Sequence, residues 1–122
     1  MIGYVTLGTN DLKKSGAFYD ALLGTIGASR LMEMEHMIGW GVDPSKPLLG
    51  AINPNDGNAA TPGNGTMVAL SMDDRSKVDA VYNKAMDLGA QDEGALGERG
   101  PTFYAGYFRD PDGNKLCVYC MG

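Results

Sequence analysis

The chain repeats itself. Tyr4-Val5-Thr6-Leu7 lies over Met67-Val68-Ala69-Leu70 at an offset of 63 residues, and the same offset sets Asp11 over Asp74, Lys14 over Lys77 and Tyr19 over Tyr82. After a one-residue gap, Ile26-Gly27-Ala28 falls on Leu88-Gly89-Ala90. Further on, the stretch from His36 to Pro44 falls on Phe103 to Pro111 at an offset of 67. A repeat of this length means that each half is one supersecondary unit, and that the two must share a core. With 122 residues in all, the pair fits a single domain. The expected division is a first module over about 1–55, a linker over about 53–65 and a second module over about 66–122.

Both halves read the same way. Residues 2–8 and 66–72 are β-rich runs, each expected to be a strand. A helix follows in each. Asn10 or Asp11 can cap the first, with Leu12, Phe18, Tyr19, Leu22, Leu23 and Ile26 at helical spacing. Asp73 or Asp74 can cap the second, with Val78, Val81, Tyr82, Ala85, Met86 and Leu88 on one face. Gly27 and Gly89 are suited to end them. Shorter strands come next, and the last two form a hairpin through Asp110-Pro111-Asp112-Gly113-Asn114. The fold class is therefore α+β, with two βαβββ modules in a curved, mostly antiparallel sheet. Each helix covers one sheet face and leaves the other free.

Composition removes several functions. No stretch approaches the roughly 20 apolar residues of a membrane span, and the N-terminus lacks a basic start followed by an apolar run. The net charge is −5, from 10 Lys and Arg against 15 Asp and Glu, with no basic cluster, so neither nucleic acid nor membrane is the expected partner. Such a charge favours a cationic or neutral ligand, and an anionic one would need local positive charge. Two cysteines cannot form a disulfide scaffold, so a reduced, cytoplasmic protein is expected. In Cys117-x-x-Cys120 the two thiols sit three apart on a strand and face opposite ways, which argues against a redox or zinc pair.

Three segments carry a family resemblance. They are Val5-Thr6-Leu7-Gly8 with Asp11-Leu12 and Ala17-Phe18-Tyr19; Gly65-Thr66-Met67-Val68-Ala69-Leu70; and Phe108-Arg109-Asp110-Pro111-Asp112-Gly113-Asn114-Lys115-Leu116. Together they resemble the vicinal oxygen chelate superfamily of glyoxalases, extradiol dioxygenases and bleomycin- and fosfomycin-resistance proteins. The resemblance implies a glyoxalase-like fold around a cleft, a divalent ion there in metal-dependent members, and a homodimer. It places the ligand positions at Tyr4, Gly50, Met67 and Cys117. Those residues are a phenol, no side chain, a thioether and a single thiol, whereas hard divalent ions take carboxylate, imidazole and water. Neither a metal nor another cofactor is expected.

Strand alternation suggests what lines the cleft instead. With Tyr4 and Met67 inward, Thr6 and Ala69 follow. Pairing Arg109 with Lys115 sets Tyr107 opposite Cys117 and brings Phe103 and Tyr119 to the same face. Through the repeat, His36, Ile38 and Trp40 are also expected there. The predicted ligand-binding set is thus Tyr4, Thr6, Trp40, Met67, Phe103, Tyr107, Cys117 and Tyr119. His36, the one histidine, is the candidate general acid–base. Arg109 could hold a carboxylate or phosphate at the cleft mouth, or pair locally with Asp110 or Asp112. Three functions stay open: binding of a small organic molecule in an aromatic cleft, a glyoxalase-type lyase or isomerase with an atypical or metal-free site, and a structural or regulatory dimer module with a packed cleft.

Overall fold

The structure, a computed structural model, describes residues 1–122. Its elements run β1 (Tyr4–Gly8), α1 (Leu12–Gly24), β2 (Ser29–Glu33), β3 (Met37–Gly41), β4 (Leu48–Ile52), β5 (Val68–Ser71), α2 (Arg75–Asp87), β6 (Gln91–Glu98), β7 (Phe103–Arg109) and β8 (Lys115–Met121). The strands make two four-stranded sheets, ordered β1-β4-β3-β2 and β5-β8-β7-β6. In each, the first strand pairs parallel with the last and the other pairings are antiparallel. This is the expected α+β architecture of two βαβββ modules. Neither helix is long and apolar enough to cross a membrane.

Local chemistry sets the helix ends. The Asp11 carboxylate accepts from Lys14 N at 3.0 Å, and that of Asp74 accepts from Lys77 N at 3.0 Å. Each satisfies one otherwise unpaired amide of a first turn. Gly27 and Gly89 follow the helices at φ of +79° and +85°, a conformation that costs a glycine little.

The helices pack on the sheets through the apolar stripes read from the sequence. Phe18, Tyr19, Leu22 and Leu23 of α1 and Val78, Val81, Tyr82 and Ala85 of α2 join Leu7, Ile38, Trp40, Leu49, Ala51, Phe108, Leu116, Val118 and Cys120 in one continuous core. The modules are also joined by hydrogen bonds. Tyr19 Oη on α1 donates to Asp110 Oδ2 at 2.6 Å, and Asn114 Nδ2 donates to the same oxygen at 3.0 Å and to Gly8 O at 2.9 Å. Asp110 Oδ1 accepts from the amides of Asp112 and Asn114, both at 2.9 Å. Asn10 N donates to Asp112 Oδ1 at 2.9 Å, while the Asn10 side chain clips the linker at Ala60 in both directions.

The repeat alignment slips by one residue in β3. Cys117 on β8 pairs with Tyr107, but Gly50 on β4 pairs with Gly39, not with Trp40. The structural counterpart of Tyr107 is therefore Gly39, and that of Phe108 is Trp40. A one-residue shift sends a side chain to the other face of a sheet. Trp40 and Ile38, expected in the cleft, instead lie beneath α1. The Trp40 ring is 5.2 Å from that of Tyr19, and its Nε1 donates to Asp20 Oδ1 at 2.8 Å. Arg30 closes this corner with two bonds to Asp20, both 2.8 Å.

Removing the Tyr19 hydroxyl leaves a buried carboxylate short of a donor. Tyr19→Phe is expected to lower unfolding free energy by about 1–3 kcal/mol, and Asp110→Ala by more, in urea melts at pH 7. Burial, with the neighbouring Asp110, holds the Tyr19 phenol well above its ordinary value of 10.0. The unfolded phenol thus ionises first, and the stabilisation is complete below about pH 10 and lost above it. The gap between wild type and Tyr19→Phe should narrow as melts are repeated from pH 9 to 11.

Candidate functional site

The helix-free face of the second sheet is the better-built surface of the two. Alternation along β7 and β8 places Phe103, Ala105, Tyr107 and Arg109 beside Lys115, Cys117 and Tyr119, in the expected register. The Phe103 and Tyr119 rings stack with centroids 5.1 Å apart and planes 17° from parallel. Tyr107 and Cys117 face each other across the ladder. Burial raises the pKa of both groups, so each stays protonated near neutrality. Cys120 points the other way, into the core under α2.

Cations surround this face. The Arg99 guanidinium lies 5.5 Å from the Tyr107 ring centroid and Lys115 Nζ lies 5.6 Å from it. Arg109 pairs with Glu93 of the neighbouring strand, not with Asp110 or Asp112, and donates to Gly113 O at 2.8 Å. Lys115 and Arg109 also line a cavity of about 570 Å³ with residues 62–67, ending at Met67.

The helix-free face of the first sheet has little side chain of its own. Gly39, Gly41 and Gly50 form its floor, and Met37 and Leu48 lie across it. A Cβ at Gly50 would sit 2.7 Å from Met37 Cε and 3.4 Å from Thr6 Cγ2. Thr6 and Tyr4 on β1 are exposed. Val5 of β1 and residues 68–70 of β5, with Ile2, Pro47 and Leu48, border an apolar groove of about 420 Å³ that includes Met67. His36 lies outside β3, in the bend before it, and lines a separate cavity with Ile52, Asn53 and Pro54. It is thus not brought into the group around Tyr107.

A family model described as Glyoxalase/Bleomycin resistance protein/Dioxygenase superfamily matches residues 1–118. The chain belongs to this superfamily. A solved glyoxalase/bleomycin resistance protein from Albidiferax ferrireducens T118 is 33% identical, with a TM-score of 0.91 over 100% of this chain and 99% of that one. A glyoxalase/bleomycin resistance protein/dioxygenase family enzyme from Burkholderia phytofirmans PsJN is 20% identical, with a TM-score of 0.80 over 98% of each chain. A lactoylglutathione lyase from Agrobacterium tumefaciens is 21% identical, with a TM-score of 0.72 over 98% of this chain and 92% of that one. These last two likenesses show the glyoxalase fold alone. No curated protein matches the sequence.

For a superfamily member, the donor set for a metal is the first thing to test. No three His, Cys, Asp or Glu side chains are grouped so that they could hold a metal ion. The space that a side chain at position 50 would enter is taken by the Met37 methyl. Cys117 is 1% exposed and protonated. These residues do not fit a hard divalent ion.

Thiol titration checks this geometry. With Cys117 buried and its pKa raised, and Cys120 equally buried, the native protein should release well under one equivalent from Ellman's reagent in minutes at pH 7.5, and two in denaturant. A fast equivalent from the native chain would contradict the burial of Cys117.

Proposed function

We propose that this superfamily member binds a small organic molecule without a metal, against the helix-free face of its second sheet. The observation that carries the reading is the half-buried aromatic row of Phe103, Tyr119 and Tyr107, which no helix covers. Rings held in a stack present flat apolar area at little further entropic cost, and a planar ligand can extend that stack. Met121, paired with Phe103, adds an adaptable thioether at the end of the row, and Met67 adds another in the cavity beside Arg109 and Lys115. The Tyr107 hydroxyl and the flanking cations supply the few polar contacts that would fix orientation.

The positions to which the superfamily resemblance assigns metal ligands support the same reading. Tyr4, Gly50, Met67 and Cys117 offer a phenol, an empty position closed by Met37, a thioether and a protonated thiol. What the chain's own residues can do there is bind and orient. A site that works by binding also accounts for a cleft with no histidine near Tyr107.

Calorimetric titration in excess EDTA against aromatic compounds of positive, neutral and negative charge tests the reading. At least one should bind, and Tyr107→Ala or Phe103→Ala should weaken that binding about fivefold or more, since each removes a stacking surface worth about 1 kcal/mol or more. Binding that appears only after Mn²⁺ or Ni²⁺ is added would contradict it.

A further inference from the structure

The charge around the proposed binding face runs against the charge of the whole chain. The protein carries −5, yet the cavity beside Met67 is lined by Pro62, Gly63, Asn64, Gly65, Thr66, Met67, Arg109 and Lys115, which include two cations and no acid. Arg99 adds a third cation on Tyr107. Only Arg109 of the three has a carboxylate partner, Glu93. Even that pair uses Arg109 Nε, and Nη1 goes to Gly113 O, so Nη2 has no partner. Lys115 Nζ has none either, apart from the face of Tyr107.

Lack of a carboxylate does not by itself mark these cations: Arg30, Arg75 and Lys77 hold carboxylates at 2.7–3.2 Å, while Lys13, Lys14, Lys46 and Lys84 hold none. What marks Lys115 and Arg109 is that both line one acid-free cavity. Lys115 is only partly exposed, and its ammonium is held beside a half-buried phenol. Unpaired donors beside apolar surface have more to gain from an anion than the same donors in open solvent.

We propose that the ligand of this site is an organic anion: an apolar, ring-bearing body against Phe103, Tyr107 and Tyr119, ended by an oxyanion group held by Lys115 Nζ and Arg109 Nη2. The proposal rests on the binding function argued above and specifies its ligand class. It reverses the expectation, drawn from net charge alone, of a cationic or neutral ligand. The field at a site is set by the charges within a Debye length, about 8–10 Å at ordinary salt, and not by the sum over the chain.

Three isosteres test it on the intact protein by calorimetry: 4-phenylbutyrate, 4-phenylbutanamide and 4-phenylbutylamine. The carboxylate should bind about tenfold tighter than the amide, and the amine no better than the amide. Raising NaCl from about 50 to about 500 mM should remove most of that preference. Lys115→Met should remove most of the preference, and Lys115→Arg should keep it, which separates lost charge from lost folding. A fourth probe, 4-phenylbutyl phosphate, distinguishes the two oxyanions, and tighter binding of either it or the butyrate supports the proposal. Amide or amine binding as tightly as both anions, or a preference unmoved by Lys115→Met, overturns the proposal and leaves the binding function standing. Failure of all four probes to bind would overturn the proposal together with that function.

Discussion

The carboxylate of Asp110 holds the two halves of the molecule in register. It is buried, it has no cationic partner, and it accepts four hydrogen bonds. Two come from the turn it belongs to and one from the Asn114 side chain. The fourth comes from Tyr19, on the helix of the other module. A buried carboxylate so placed is stable only with all its donors present, so each donor is fixed by the others. Asn114 then reaches Gly8, the last residue of β1. Through these few atoms the hairpin that carries Tyr107 and Cys117 is tied to α1 and to the strand that carries Tyr4 and Thr6. The shared core supplies the bulk of the apolar burial, and this network sets how one module sits against the other.

Duplication gives two similar sheets, but their helix-free faces have diverged. At equivalent register positions the first sheet has Gly39 and Gly50 where the second has Tyr107 and Cys117. The first face is glycine roofed by Met37 and Leu48. The second is a row of rings with cations around it. The asymmetry follows from what fills each position. With no side chains to pack on one another, the first face is closed by flexible neighbours lying flat. The second is held open by rings rigid enough to stack. One helix-free face is therefore a smooth wall, and the other offers contact and charge.

Much of this was legible in the sequence. The strand–helix–strand order, N-caps narrowed to Asn10 or Asp11 and to Asp73 or Asp74, the glycine exits and the Tyr107–Cys117 register all follow from period, cap chemistry and turn residues, which are local rules. Trp40 was misplaced because the residue offset between the halves changes by one at β3, and alternation turns such a slip into the opposite face. One signal could have corrected it. A buried indole N–H needs an acceptor, and Asp20 lies on the helix that would cover it. The Asp110–Tyr19 bond was out of reach because its partners are 91 residues apart and only the packed modules bring them together. The Lys115 and Arg109 cavity was hidden for a related reason. Net charge is a property of composition, whereas the field in a cleft depends on which residues the fold gathers there.

The proposed function requires residues that hold a ligand without a resident ion. Anomalous diffraction from crystals grown with Ni²⁺ or Mn²⁺ is the most direct measurement of it. The account predicts no anomalous peak among Tyr4, Gly50, Met67 and Cys117, with Met37 still lying over Gly50. A fully occupied ion among those four positions, with Met37 displaced to admit it, would contradict it.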